Sequence, residues 1–344
     1  MKTVVITGAT SGIGLETARI LTGQGYSVIG IGHSAENCVM AKESILFRNP
    51  DAKIIFFTAD LMQQREVIRA ADEIAKHLDT ECGGELYALI NNAGCVRSWY
   101  MTTDEGYEQQ FALNHLASFL LTHKLLACLK MANGLVIMTG SESHKRTKVR
   151  WNDIMLSRGY NPLFAYKQSK LCNILFAKGL NDRCASSGIR AYVVDPGLVK
   201  TDIGNKNTGS LVNLVWKIRK RFGVPPSVPA QTYAFLCGQA EKAEGLYYYL
   251  CKENKYSNSK KGGNNNDNFP YLRNHKSISF GIILIFFIRL IKHKEKHFFY
   301  LIPHLTNAII HCTKFFTDMV CPRGHSGNNR ATHFIHSSVE RATA

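Results

Sequence analysis

Tyr166 and Lys170, in the stretch FAYKQSK, stand four places apart. On a helix that spacing puts both side chains on one face, one turn apart. A free tyrosine, with a pKa of about 10, moves protons poorly at neutral pH. An ammonium within roughly 4 to 6 Å favours the phenolate and lowers that pKa, bringing the phenol toward acid–base service. Such a pair is common by chance, so its company decides. Ser141 closes the strand-like run VIMTGS, where its hydroxyl can bind a carbonyl oxygen. Asn114 is an awkward polar choice in the apolar run FALNHLASFLLT, and NNAG (Asn91 to Gly94) ends another strand-like run.

A second set of residues suits phosphate. TGATSGIG, Thr7 to Gly14, follows the first strand-like run and opens the first helical one. Gly8, Gly12 and Gly14 let the backbone approach a pyrophosphate, while Ser11, Gly12 and Ile13 fall at a helix N-terminus that offers free N–H donors. A plain strand-to-helix turn needs fewer glycines. After the next strand the sequence reads GIGHS, with no acid to hold a ribose 2′-hydroxyl and repel a 2′-phosphate. His33 and Ser34 there can accept a phosphate, so NADP is expected, with NAD as the alternative and His33 as a plain loop residue. Asp60, with Leu61 beside it, is placed either to meet an adenine or to cap the following helix.

The elements that must carry these residues are legible as alternation. TVVIT, YSVIGIG, KIIFFTAD, LYALINNAG, GLVIMTGS, IRAYVVDPG and LYYYL are short β-rich runs. Between them lie helical stretches near 13–24, 35–47, 63–78, Asp104 to Leu129, Phe164 to Cys184 and 229–239. Apolar strands separated by helices predict a mostly parallel seven-stranded sheet covered on both faces, an α/β doubly wound Rossmann fold over residues 1–251.

The 344-residue chain carries a net charge of +16. Residues 1–254 hold 29 Lys+Arg against 22 Asp+Glu, and residues 255–344 hold 13 against 4. The excess is therefore concentrated in an atypical tail, which argues against nucleic acid as a partner of the fold. That tail, 252–344, begins KENKYSNSKKGGNNNDN, a low-complexity linker, and continues through the apolar run ISFGIILIFFI. Eleven residues are too few to span a bilayer as a helix, though flanking cations suit a membrane surface. The plainer reading is a poorly ordered appendage. Ten cysteines without a C-x-x-C pair exclude a disulfide framework and give no metal site. No apolar leader precedes the first strand, so a cytoplasmic protein is expected.

Taken in order, TGATSGIG, NNAG, Asn114, Ser141, Tyr166-x-x-x-Lys170 and DPGLVKT resemble the short-chain dehydrogenase/reductase family over about residues 2–250. The resemblance implies an NAD(P)-dependent oxidoreductase of CH–OH groups with Tyr166 as general acid/base. Lys170 would lower the tyrosine pKa and hold the nicotinamide ribose, Ser141 would polarise the carbonyl, and Asn114 would keep a water in a proton relay. Thr7, Gly8, Gly12, Ile13 and Gly14 match the phosphate turn. Asn92, with Ala93 and Gly94, matches the segment near the adenosine ribose. Pro196, Gly197, Val199 and Thr201 resemble the stretch that clasps the carboxamide. The family commonly forms homo-oligomers through its two long helices.

Tyr166 stands 25 positions after Ser141, and the stretch between them holds an insertion that resembles the retinol dehydrogenase-like branch, which handles lipophilic alcohols and carbonyls. Two positions depart from it: His33 stands where the branch has arginine, and Gly140-Ser141 where it has two serines. Between Thr201 and Pro229 a substrate lid is expected (202–228), whose SLVNLVWKIRKRF has apolar residues at helical spacing beside a basic end. That face would line a lipophilic pocket, touch a membrane or pack on its own domain. The remaining readings are an NAD-dependent dehydrogenase of a small polar alcohol and a non-catalytic nucleotide-binding scaffold. Retention of Tyr166, Lys170 and Ser141 argues against the second.

Overall fold

Alternation along each inner strand decides which face of the sheet a side chain serves. In β1 (Thr3–Thr7) the buried Val5 joins one core, and Val4 and Ile6 join the other. β4 (Ala88–Asn91) and β5 (Leu135–Thr139) repeat the division. Leu89, Val136 and Met138 lie on the first face, with Ile90, Leu135 and Ile137 on the second. A strand buried on both faces must be apolar throughout, which is why these runs show little polar alternation.

The computed structural model describes residues 1–200, 223–239 and 241–256, all within a unit spanning Met1–Gly263. The sheet order is β3 (Ile54–Thr58), β2 (Ser27–Gly32), β1, β4, β5, β6 (Arg190–Val194), β7 (Tyr247–Tyr249) and β8 (Lys252–Glu253). One core packs α3 (Gln64–Cys82), α5 (Ala117–Lys124) and α7 (Pro162–Cys184) on the first face. The other packs α1 (Gly12–Gly23), α2 (Ala35–Leu46) and α8 (Ser227–Gly238) on the second. This is the doubly wound Rossmann arrangement, and the C-terminal ends of its central strands converge on one edge. Among the described residues no helix is long and apolar enough to cross a membrane.

The structure corrects two expectations. Among the described residues the sheet has eight strands rather than seven: β1 to β7 are parallel, and β8 turns back antiparallel to β7, so the sheet runs past residue 251. Leu250 (φ 49°) and Cys251 (φ 60°) make the reversal, two consecutive left-handed residues as a tight hairpin requires. The strand's two charged residues, Lys252 and Glu253, hide it from any apolar pattern.

The helix expected over Asp104 to Leu129 is also shorter and broken. It begins as α4 (Gln109–Phe111), widens into a π-helical turn at Ala112–Leu116, continues as α5 and ends as α6 (Leu126–Met131). Glu108 sets the start, its two carboxylate oxygens accepting the N–H groups of Gln110 (3.0 Å) and Phe111 (2.7 Å). Glu105 is occupied elsewhere. Its carboxylate takes the N–H groups of Gln64 (2.6 Å) and Arg65 (3.0 Å), capping α3 from a distant loop.

Thr201, most of the expected lid (202–222) and the tail from residue 257 lie outside the described residues.

Candidate active site

The face of α7 toward β5 carries a polar stripe, Tyr166, Ser169, Lys170 and Asn173, at i, i+3, i+4 and i+7. Lys170 is 2% exposed. Its Nζ donates to the Thr139 carbonyl at 3.2 Å and lies 5.5 Å from the centre of the Tyr166 ring. No described carboxylate lies within ion-pair distance of it, so burial draws its pKa down to about 8, opposed by the fields of Cys95 and Asp195. A Cβ on Gly94 would come 3.8 Å from Nζ and 3.1 Å from Asn114 Oδ1.

Asn114 lies in the π-helical turn, a local widening frequent at functional sites. Its Oδ1 accepts the Cys95 N–H (2.7 Å), and its Nδ2 donates to the Cys95 carbonyl (3.0 Å) and to Ser169 Oγ (3.1 Å). Its own carbonyl accepts from Asn173 Nδ2 at 3.0 Å, and the same amide reaches the Thr139 carbonyl at 3.1 Å. Asn114 therefore ties the end of NNAG to α7, and Asn173 ties both to β5. His115 completes the group: its Nδ1 bonds Asn173 Oδ1 at 2.9 Å, and full burial pushes its pKa down to about 4.

The glycine turn is built by close approach. Gly8 (φ 66°) and Gly12 (φ 55°) are left-handed, and a Cβ on Gly14 would stand 2.2 Å from the Gly8 carbonyl oxygen. Thr7 Oγ1 accepts the N–H groups of Asn92 and Ala93, both at 2.9 Å, and Asn92 Nδ2 returns a bond to the Thr7 carbonyl at 3.0 Å. Ser11 precedes α1 without a side-chain cap. The first N–H groups of α1, from Gly12 and Ile13, are therefore not taken by a capping side chain. Such a geometry leaves backbone N–H groups at a helix N-terminus open to an anion.

Ser141 follows β5, two residues beyond the carbonyl that holds Lys170. Its Oγ accepts from Ser143 Oγ at 3.0 Å, and its carbonyl lies 2.6 Å from His144 Nδ1. Beyond β6, Gly197 (φ 68°) donates its N–H to Asp195 Oδ1 at 2.9 Å, while Tyr247 donates its hydroxyl to Asp195 Oδ2 at 2.8 Å. Pro196 lies between them, and Val199 forms a parallel bridge with Val224.

At the far end of the edge the expected residues are partly engaged in structure. Ser34 Oγ caps α2 by accepting the Asn37 N–H at 3.3 Å. His33, 77% exposed, has Nδ1 3.7 Å from Asp60 Oδ1. Asp60 also accepts the Met62 N–H at 3.0 Å, and Leu61 is buried beside it. His33 and Asp60 line a cleft of about 560 Å3 with Gln63, Arg65, Arg69 and Asp104. The guanidinium of Arg69 is held by Glu66, Glu73 and the Thr58 carbonyl.

Residues 2–210 match the model of the short chain dehydrogenase family. The chain belongs to that family. Among curated relatives, mouse retinol dehydrogenase 12 is 34% identical over 255 residues, covering 73% of this chain and 78% of that protein. Human retinol dehydrogenase 13 is 32% identical over 260 residues, covering 72% and 76%. A short-chain dehydrogenase from Sphingobium yanoikuyae, solved with NADPH, shares the fold with a TM-score of 0.56 at 19% identity, covering 72% of this chain and 87% of that one. This short-chain dehydrogenase is thus an oxidoreductase of CH–OH groups that uses a nicotinamide dinucleotide.

Sequence reasoning missed Thr139, Ser169, Asn173, Asp195 and Tyr247. Ser169 and Asn173 carried a signal, since they extend Tyr166 and Lys170 into a polar stripe at helical spacing. Asp195 and Tyr247 carried none, because 52 positions separate them.

Proposed function

We propose that this short-chain dehydrogenase interconverts a lipophilic alcohol and its carbonyl, with NADP as the preferred dinucleotide and Tyr166 as the residue that gives or takes the hydroxyl proton. The observation that carries the reading is the buried Lys170 ammonium on the helix face of Tyr166, 5.5 Å from its ring. A cation there favours the phenolate.

The residues present fit the dinucleotide. Left-handed Gly8 and Gly12, the Cβ-free approach of Gly14 to Gly8 and the uncapped start of α1 suit a pyrophosphate. Thr7, Gly8, Ser11, Gly12, Ile13 and Gly14 would hold it. Asn92, Ala93 and Gly94 would hold the adenosine ribose, and Asp60 and Leu61 the adenine. Lys170 and Tyr166 would hold the nicotinamide ribose, and Pro196, Gly197 and Val199, with Thr201, the carboxamide. When bound, the nicotinamide supplies or receives the hydride.

The chain's own residues manage the proton. In reduction the Tyr166 hydroxyl donates to the carbonyl oxygen while Ser141 hydrogen-bonds the same oxygen. In oxidation Tyr166 accepts the proton. The Asn173 amide donates to the same Thr139 carbonyl as Lys170, and the Asn114 carbonyl holds that amide in place. Tyr166→Phe is expected to lower kcat about 1000-fold, within the usual range for a general acid, while dinucleotide binding persists. Retained turnover in that variant sinks the reading.

The preference for NADP rests on His33 and on Arg65 at the cleft. A second reading, NAD, is favoured by Asp60 and Asp104 in the same cleft, since carboxylates repel a 2′-phosphate. Titration of the purified chain with both dinucleotides separates them. The lipophilic substrate is supported by the retinol dehydrogenase relatives. Faster turnover of small polar ketones than of retinal-like or steroid-like carbonyls would remove it.

A further inference from the structure

β7 reaches the site through its first residue. Tyr247 is 1% exposed, and its ring faces two elements at once. On one side it packs against His144, ring centres 5.4 Å apart, and His144 Nδ1 is bonded to the Ser141 carbonyl. On the other its hydroxyl donates to Asp195 Oδ2 at 2.8 Å, and Asp195 Oδ1 accepts the Gly197 N–H at 2.9 Å. Gly140 makes room for the ring, since a Cβ there would stand 3.2 Å from Tyr247 Cε2 and 2.5 Å from Val193 Cγ1. The backbone repeats the linkage, with the Asp195 N–H donating to the Tyr248 carbonyl at 2.8 Å.

We infer that Asp195 and Tyr247 are a buried positioning pair that holds the Pro196–Gly197 turn in the shape the nicotinamide end of the dinucleotide requires. The pair acts without touching a reacting atom. Gly197 is left-handed, and the bond to Asp195 Oδ1 is the constraint that fixes its N–H. Asp195 can hold that bond only while its own rotamer is fixed, and the Tyr247 hydroxyl fixes it from the opposite oxygen. Burial and the adjoining Asp195 raise the Tyr247 pKa well above the tyrosine range, so the hydroxyl remains a donor at any working pH. Through His144 the same ring braces the turn that carries Ser141. Substrate oxygen and dinucleotide are thereby held from one side chain on the last parallel strand.

The inference rests on the dinucleotide reading above, and its test separates the two. The full-length chain is titrated calorimetrically with NADP and NAD, and kcat, KM and melting temperature are measured beside it. Tyr247→Phe keeps the ring against His144 and removes only the hydroxyl. It is expected to weaken binding of the preferred dinucleotide about tenfold, the scale of one lost buried hydrogen bond, with kcat at saturation within about twofold. Asp195→Ala is expected to weaken binding further. Asp195→Asn, whose amide oxygen can still accept from Gly197, is expected to restore binding to within about threefold. The proposal is overturned if Tyr247→Phe and Asp195→Ala bind as the wild type does, whatever their melting temperatures. It is also overturned if Asp195→Asn binds no better than Asp195→Ala, which would make charge rather than position the cause. A wild-type chain that binds neither dinucleotide defeats the oxidoreductase reading and this one together.

Discussion

Lys170 shows how one residue's burial becomes a rate profile. Its ammonium is fully enclosed and rests on a neutral carbonyl, so it titrates near 8 rather than near the ordinary lysine value of 10.5. Below that pH the charge beside Tyr166 is present; above it the charge, and with it the support for the phenolate, is lost. The pH profile of kcat/KM for carbonyl reduction, which reports the free enzyme, is therefore expected to fall above about pH 8. A profile flat to pH 10 would contradict this. His115 gives the companion prediction for stability. Its folded pKa of about 4 lies below its ordinary 6.5, so the native state binds fewer protons in between. Its contribution is complete above about pH 6.5 and is lost as pH falls toward 4, a loss of about 2 kcal/mol by pH 5. His144, lowered by burial as well, acts in the same direction. Thermal melts at pH 7 and pH 5 are expected to separate less for His115→Gln than for the wild type. The sequence exposed the Tyr166–Lys170 pair because its spacing is local. It hid the carbonyl of Thr139, which matters only once α7 lies against β5, while Asn173 showed only as the end of a polar stripe at helical spacing.

At the scale of elements, two acids one turn of loop apart do different work. Glu108 starts α4 and also accepts the Tyr160 hydroxyl at 3.0 Å, while Gln110 donates to the Pro162 carbonyl at 3.2 Å. The entrances of the helix bearing Asn114 and the helix bearing Tyr166 are therefore fastened together. Glu108→Ala leaves buried donors unmatched in both, and is expected to cost about 2 to 3 kcal/mol in denaturant titration together with most of the turnover. Glu105→Ala removes only the cap of α3 and is expected to cost about 1 kcal/mol with turnover unchanged. The stretch between Asp104 and Leu129 reads as continuous because buried residues follow one another almost without a gap from Gln110 to Ser118. What breaks it is the late start set by the Glu108 cap and a π-helical widening, and neither leaves a mark on periodicity. The strands were legible for the opposite reason, since burial on both faces leaves few residue types to choose from.

For the whole molecule, the charge is unevenly divided: residues 255–344 contribute 13 Lys+Arg against 4 Asp+Glu. The described site draws on residues 7–199 with Tyr247. A chain ended after residue 260 is accordingly expected to bind the dinucleotide within about twofold of the full chain. It should also elute from an anionic matrix at lower salt than the full chain, a salt-sensitive property of net charge. Calorimetry and an ion-exchange salt gradient check the two halves. The hairpin that ends the sheet has an effect beyond catalysis. A sheet margin is a template on which a foreign strand can grow, and β8 offers it two residues, one lysine and one glutamate, bent back by a tight turn. Self-association through backbone pairing, when such chains are crowded or warmed, should therefore begin at the opposite margin, along Ile54–Thr58.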